Sequence, residues 1–243
     1  MRLTRANDKA IKYACLKFHY AKCVPVVPLG YNVYNGKDEW CGVILYSLGA
    51  TLNIAKPYGL QQGEVVELTR VALNGKQEAT SQAVAMSLKQ LHKDCPAVRL
   101  VVSYADCDQD HYGTIYQATN WIYTGETDAG DRKFIIHGKL THRKTIHSRI
   151  IVENGKKMNC PQTLEYVRKY FDPNAKLFIT KGKRKYLMPL DKKIRKQVLP
   201  LAQPYPKESA DWVKIDRSQF SHKADGAEGS KVNPIKKQLT HHV

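Results

Sequence analysis

Apolar side chains recur at Ile11, Ala14, Cys15 and Phe18, the i, i+3, i+4, i+7 spacing of one helical face, and the pattern ends before Pro25. Strand-like runs follow at 26–34, 41–48 and 65–73. The turn Asn35-Gly36-Lys37-Asp38 joins the first two as a hairpin. Val84, Leu88 and Leu91 share a second helical face and predict a helix over 78–92, closed by Pro96. The continuous apolar run at 98–104 suits a strand buried on both sides. Gly113 precedes a third helix predicted over 114–120, where Thr114-Ile115-Tyr116-Gln117 has the spacing of a capping box. Strands are expected again at 121–124 and 134–140. Leu164, Val167 and Phe171 mark a fourth helix with Pro161 in its first turn.

A strand, helix, strand unit over 64–105 needs a crossover, so its two strands pair in parallel inside a sheet that is otherwise antiparallel. The class is α/β (α+β), a mixed, mostly antiparallel sheet flanked by helices. Residues 1–150 are expected to hold this core, and 151–206 a basic helix-and-strand extension packed on it. The polar segment 207–243, broken by Gly, Pro and Ser, is expected to be a mobile tail. No stretch is long and apolar enough to span a bilayer, and Met1-Arg2-Leu3-Thr4-Arg5 does not open a signal peptide. Six scattered cysteines form no CxxC pair. A reduced, cytoplasmic protein is expected, with the cysteines as small core residues.

Charge changes this otherwise ordinary picture. Thirty-nine Lys and Arg stand against 22 Asp and Glu, a net +17 that attracts polyanions, nucleic acid being the commonest. Ribosomal and membrane-surface proteins share such a balance, so charge names a partner class and no chemistry. One basic run stands out: Lys181, Lys183, Arg184 and Lys185, then Lys192, Lys193, Arg195 and Lys196. It reads as either a solvated hairpin and helix or a surface for sequence-independent phosphate contacts, and the net charge favours the second.

Candidate chemistry concentrates at 103–121. Ser103 and Asp106 close the apolar run, at the carboxyl end of a strand where open α/β sheets bind ligands. A carboxylate (Asp106) and a phenol (Tyr116) there can orient or deprotonate an amine. Equally, Asp106 can cap the next turn while Gln117 completes the capping box and Tyr116 packs. Tyr116 and Asn120 lie four residues apart on one face. His19 and Tyr20 end the first helix, where the helix dipole and the core edge also account for them. Arg70, on the strand at 65–73, either pairs with Glu67 or Asp106 or holds a phosphate or carboxylate.

The run VVSYADCDQDHYGTIYQATNWIYTG at 101–125, with ELTRVALN at 67–74 and KFHYAKCVP at 17–25, resembles the Mom family of phage DNA-modification proteins over roughly residues 10–190. The resemblance implies a GNAT-like transferase fold. It implies conversion of the exocyclic amine of adenine in double-stranded DNA to a carbamoylmethyl (acetamido) derivative that shields phage DNA from host restriction enzymes in the host cytoplasm. It further implies catalytic roles for His19, Tyr20, Ser103, Asp106 and Tyr116, and substrate or donor contacts for Arg70, Gln77, Ser81, Gln117, Asn120 and Trp121. The target base is expected to flip from the duplex and stack on Tyr116, Trp121 or Tyr20.

The donor stays open between two chemistries. GNAT enzymes that use acetyl-CoA carry a Gln/Arg-x-x-Gly-x-Gly/Ala loop whose bare amides cradle the pyrophosphate. Here Gln77 aligns, the glycines after it are missing, and Glu78 adds a negative charge. Simple acetyl transfer would also leave a carbonyl on the adenine nitrogen, where the carbamoylmethyl group has a methylene. An acetyl-derived unit therefore needs a metal-assisted oxidative step. An activated glycine such as glycyl-tRNA needs none, and the basic surface suits an RNA donor as well as a DNA acceptor. Iron is associated with the family, and His19, Cys23, Asp106 and His111 are the candidate ligands, at spacings that also arise by chance. Two other functions compete. A small-molecule N-acetyltransferase is disfavoured by the loop and the charge, and a non-enzymatic basic DNA-binding protein leaves the 103–121 cluster without purpose.

Overall fold

The computed structural model describes residues 1–207 other than 27, 28, 50, 52, 129 and 131; the expected tail lies outside the described residues. The chain enters on a short strand, β1 (Arg2–Arg5), that periodicity did not announce. Asn7 then accepts the Ala10 amide at 2.9 Å and caps helix α1 (Asp8–Lys17). Its apolar stripe buries Ile11, Ala14 and Cys15 against Val43, Leu45 and Ala72. The hairpin of β2 (Leu29–Tyr34) and β3 (Trp40–Ser47) forms as expected. At its turn the Asn35 side chain accepts the amides of Lys37 and Glu39.

Strand β4 (Val65–Leu73), helix α2 (Thr80–Asp94) and strand β5 (Leu100–Asp106) make the crossover unit. Short helix α3 (Thr114–Gln117) and β6 (Ile122–Glu126) follow. The chain then leaves the sheet through β7 (Arg132–Ile136), β8 (Lys139–His142), α4 (Arg143–His147), β9 (Ile150–Glu153), β10 (Lys156–Asn159), α5 (Leu164–Tyr170) and β11 (Lys176–Ile179). It returns as β12 (Lys183–Pro189) and ends in α6 (Lys192–Val198). The main sheet runs β1-β2-β3-β4-β5-β12-β6, and β4–β5 is its one parallel pair among the described strands. This is a mixed, mostly antiparallel, helix-flanked sheet, as the sequence predicts.

Two departures from expectation matter for the site. First, residues 183–189 do not pack on the sheet but lie within it. Strand β12 pairs with β5 along seven registers, from Lys183 opposite Asp106 to Pro189 opposite Leu100. Its charged first half hid a buried second half, Tyr186 and Leu187. The segment outside the sheet is therefore the excursion β7–β11, which has its own small core of Phe134, Ile136, Ile146, Ile151, Cys160, Val167 and Ala175. Second, no capping box forms at 114–117. Gly113 is the N-cap, left-handed at φ +73°, and a Cβ there would lie 2.4 Å from the Tyr186 ring. Likewise Thr163 caps α5, so Pro161 stands outside that helix.

Helix α2 buries Ala83, Val84 and Leu91 on one face of the sheet, and Ile194 and Val198 of α6 cover Leu100, Val102 and Leu187 on the other. Each large side chain buried there contributes about 1.5–3 kcal/mol relative to exposure. Strands β4 and β5 pair only from Val65–Leu100 to Glu67–Val102. Beyond that register they separate, and their carboxyl ends are left apart.

Candidate active site

The separated ends of β4 and β5 gather four segments. Asp106 closes β5, and its two carboxyl oxygens do different things. Oδ1 accepts the Asp108 amide at 3.0 Å and caps the turn 107–109. Oδ2 accepts the Tyr20 hydroxyl at 3.3 Å, from the segment after α1. The capping and the site readings of Asp106 thus hold together. His19 stacks on Tyr20 with ring centroids 4.4 Å apart, and His111 meets the same ring edge-on at 5.6 Å. Arg70 reaches in from β4: Nη1 donates to the Thr69 carbonyl at 2.7 Å and Nη2 lies 3.4 Å from Cys23 Sγ. Its Nε is buried with no hydrogen-bond partner among the described residues.

This company sets the protonation states. Burial, then the Arg70 charge, with His111 and Lys22 behind, pushes the His19 pKa down to about 4. Nδ1 of His19 accepts the Ala21 amide at 3.1 Å, which assigns the proton of the neutral ring to Nε2. Tyr20 is pushed up to about 12, first by burial and then by Asp106. At neutral pH the site therefore offers a phenol O–H, an imidazole N–H, a guanidinium and a carboxyl within one cluster. Tyr20 is 49% exposed, with His19 stacked on one face of its ring.

The other predicted catalytic residues lie in the core. Ser103 Oγ is 2.8 Å from both the Leu68 carbonyl and the Tyr116 hydroxyl. A carbonyl only accepts, so Ser103 donates to Leu68 and accepts from Tyr116. Ser103 is fully buried, and Tyr116 packs against Trp121 and Tyr186 with centroids 5.1 and 5.0 Å away. Burial drives the Tyr116 pKa up. Together they bridge the gap between β4 and β5, three residues before Asp106. Trp121 is also fully buried, so of the three rings expected to stack on a base only Tyr20 is open to one. Gln117 donates to the Tyr112 carbonyl at 2.9 Å and holds the loop that carries His111. Asn120 and Trp121 line a different cleft, with Tyr123, Arg195 and Tyr205.

A model of the Mom protein family matches residues 1–207. The chain belongs to the Mom protein family. No curated protein matches it. Among solved structures, a Bacillus subtilis acetyltransferase in complex with CoA is 11% identical, with a TM-score of 0.42, covering 78% of this chain and 99% of that one. Spermidine N-acetyltransferase from Vibrio cholerae is 8% identical, with a TM-score of 0.40 and coverages of 82% and 98%. A GNAT family acetyltransferase from Elizabethkingia anophelis with acetyl-CoA bound is 11% identical, with a TM-score of 0.36 and coverages of 78% and 97%.

In this Mom family chain the loop before α2 lacks the glycines of the acyl-CoA pattern. Thr80 and Gln82 stand where the acyl-CoA pattern has glycines. The amides of Asn74 and Lys76 are spent on the Cys41 carbonyl and the Asn74 side chain, and Gln77 folds back onto the Thr80 hydroxyl at 2.8 Å. Ser81 follows inside the first turn of α2. Glu78, expected to repel a pyrophosphate, instead accepts the Gly36 amide and lies 3.9 Å from the Met1 ammonium. The four residues named as a mixed metal site meet other partners. No group of three or more His, Cys, Asp or Glu among the described residues is placed to hold a metal ion. Cys23 faces Arg70, and Asp106 serves Tyr20 and Asp108.

The basic run divides in two. Arg184 is a structural residue: Nε lies 3.1 Å from Glu126, the guanidinium lies 4.3 Å over the Tyr112 ring, and Nη1 donates to the His111 carbonyl. Lys185 lies 5.2 Å over the Tyr58 ring, and Lys181 is 3.7 Å from Asp110. The stretch Lys183–Pro189, whose alternative reading was a solvated hairpin, is a sheet strand. Lys192, Lys193, Arg195 and Lys196 are exposed on α6, while Lys183 is exposed at the head of β12.

Proposed function

We propose that this protein converts the exocyclic amine of adenine in DNA to its carbamoylmethyl derivative and so protects phage DNA from host restriction endonucleases. One observation carries the reading within the family: Tyr20, Asp106, neutral His19 and Arg70 converge at the open ends of β4 and β5. The adenine amine is a weak nucleophile, because its lone pair is delocalised into the ring. It needs an acceptor for its proton and a polarised carbonyl to attack. The Asp106 carboxylate takes the proton as the nitrogen bonds to carbon. The Nε2–H of His19 and the Arg70 guanidinium bind the oxygen that gains charge. The exposed Tyr20 ring is a face for a flipped base, and its hydroxyl fixes Asp106.

The donor that balances the product without a redox step is an ester-activated glycine. Attack of the adenine nitrogen on the glycyl carbonyl forms an amide and expels the alcohol. The free glycyl amine then adds to the ring carbon, closing a five-membered ring, and the original carbon–nitrogen bond breaks. The glycine nitrogen ends on the purine and the adenine nitrogen becomes the carboxamide, with no atom gained or lost. No step passes through CoA. Two measurements test the reading. Mass spectrometry of nucleosides from DNA of expressing cells should show carbamoyl-methylated adenine, which is lost with Asp106→Asn. Label from glycine nitrogen should appear on the purine ring. Unmodified adenine in the expressing cells overturns the function, and label found only in the carboxamide overturns the glycyl route.

A further inference from the structure

The positive charge of this protein is not spread evenly. Residues 132–181 hold twelve Lys and Arg against Glu153, Glu165 and Asp172, a net +9 in 50 residues and more than half of the chain's +17. Two of those three acids are consumed inside the excursion. Glu153 accepts from Lys169 at 2.7 Å and from Tyr166 at 2.8 Å, and Asp172 accepts the amides of His137 and Asn174. Lys139, Lys144, Lys156 and Lys157 are exposed and form no ion pair among the described residues. Like charges gathered this densely repel one another. Nothing in the small core of the excursion requires them.

Topology fixes where this charge lies. Strand β6 leads out of the sheet at Glu126, which pairs with Arg184, and β12 re-enters at Lys183, opposite Asp106. The excursion therefore leaves and rejoins the sheet at the Asp106 end. The two roots are tied together: the Thr127 amide donates to the Lys183 carbonyl, and the Lys183 amide to the Thr127 hydroxyl. The root at Lys181 is bonded to the turn that follows Asp106, its amide donating to Asp108 Oδ1 at 2.9 Å. Helix α6 starts from the opposite end and lies on one face of the sheet. Its cap, Asp191, bonds Arg99 at the start of β5, one strand length away, about 20 Å at the usual rise per residue.

We propose that the excursion β7–β11, and not the lysine-rich helix α6, is the docking module for the phosphate backbone of the DNA duplex, placed to present an adenine to the Tyr20–Asp106 cluster. This inference rests on the DNA substrate proposed above. Phosphate contacts are sequence-independent and release counterions, so each contributes about 0.9 to the slope of log affinity against log salt.

The test uses the full chain, a short fluorescent duplex and a tRNA, titrated over a range of salt. The Lys139→Gln, Lys144→Gln, Lys156→Gln, Lys157→Gln variant should bind the duplex at least about tenfold more weakly near physiological salt, with a slope shallower by about 2 or more. The four lysine-to-arginine replacements should restore both, and the fold should be unchanged by circular dichroism. Gln at Lys192, Lys193 and Lys196 should leave the slope nearly as in the parent chain. An unchanged duplex slope in the excursion variant overturns the proposal. So does a loss confined to tRNA, which would make the module an RNA dock, and so does the larger loss in the α6 variant. Adenine modification by the parent chain in cells is read separately, so failure of the dock is distinguishable from failure of the chemistry.

Discussion

The main sheet and the excursion handle charge in opposite ways. Along the sheet, several cations are paired locally. Arg99 is shared by Glu64 and Asp191, Arg2 pairs with Asp38, and Arg184 is held by Glu126 and Tyr112. Residues 1–131 carry no net charge, 182–207 carry +7, largely on β12 and α6, and the excursion carries +9. In the excursion it is the acids that are used up, and lysines are left facing solvent. A whole-chain charge of +17 therefore describes neither region. One region holds the site still, and the other is the surface proposed to meet a polyanion, with the site at their junction.

The largest effect should come from the sheet side of that junction. Asp106→Asn keeps the Oδ1 acceptor that caps Asp108 and removes the group that takes the amine proton. Adenine modification should fall at least about 100-fold, the lower end of general-base contributions, while denaturant stability changes little. Modification at the parent rate by a folded variant would move the base elsewhere. The four-lysine variant of the excursion should leave rates at saturating DNA unchanged and act through binding alone.

How much of this was legible in the sequence follows from the same contrast. Helices α1 and α2 and strands β2–β5 could be read because each buries one clear stripe or run, such as Ile11, Ala14 and Cys15 on α1. His19, Tyr20, Arg70 and Asp106 were recognisable as a set through resemblance, although three sequence-distant segments bring them together. Periodicity alone could not have grouped them. Strand β12 was hidden because Lys183, Arg184 and Lys185 resemble a surface run, yet Arg184 and Lys185 find partners in the sheet that pairing makes available. The excursion was misread because its strands are four or five residues long with few apolar positions, so their pattern is too short to show a period. The burial of Ser103, Tyr116 and Trp121 came from packing against Tyr186, a residue seventy positions away from Tyr116. No local pattern carries such a contact.

Core truncation should separate the regions again. Phe134→Ala empties a fully buried site in the excursion, where such changes cost about 3–5 kcal/mol. Hydrogen exchange should quicken across 132–179 and much less across β3–β5. A uniform loss of protection would show that the two cores unfold as one. On the sheet side, Tyr116→Phe removes the hydroxyl that donates to Ser103 and should cost about 1 kcal/mol. The rate should fall far less than with Asp106→Asn, and an equal loss would return Tyr116 to the chemistry.

The smallest effect concerns pH and belongs to the site alone. His19 is held neutral in the folded protein down to about pH 4, by burial and by Arg70, against an ordinary value of 6.5. Between these values the unfolded chain takes up a proton that the folded chain refuses. The folded state therefore loses stability as pH falls from about 6.5 toward 4 and gains nothing from His19 above 6.5. Because His19 is only partly enclosed, solvent screening reduces the effect below what the full shift implies. In a domain of this size each kcal/mol moves Tm by about 2–4 °C. His19→Gln should therefore have a Tm that declines less steeply over this window, with the two curves parallel above it. Parallel curves throughout would mean that His19 titrates in the folded site as in the unfolded chain. The neutral Nε2–H donor would then be lost already below about pH 6.5, and Arg70 would be left to bind the developing oxyanion there.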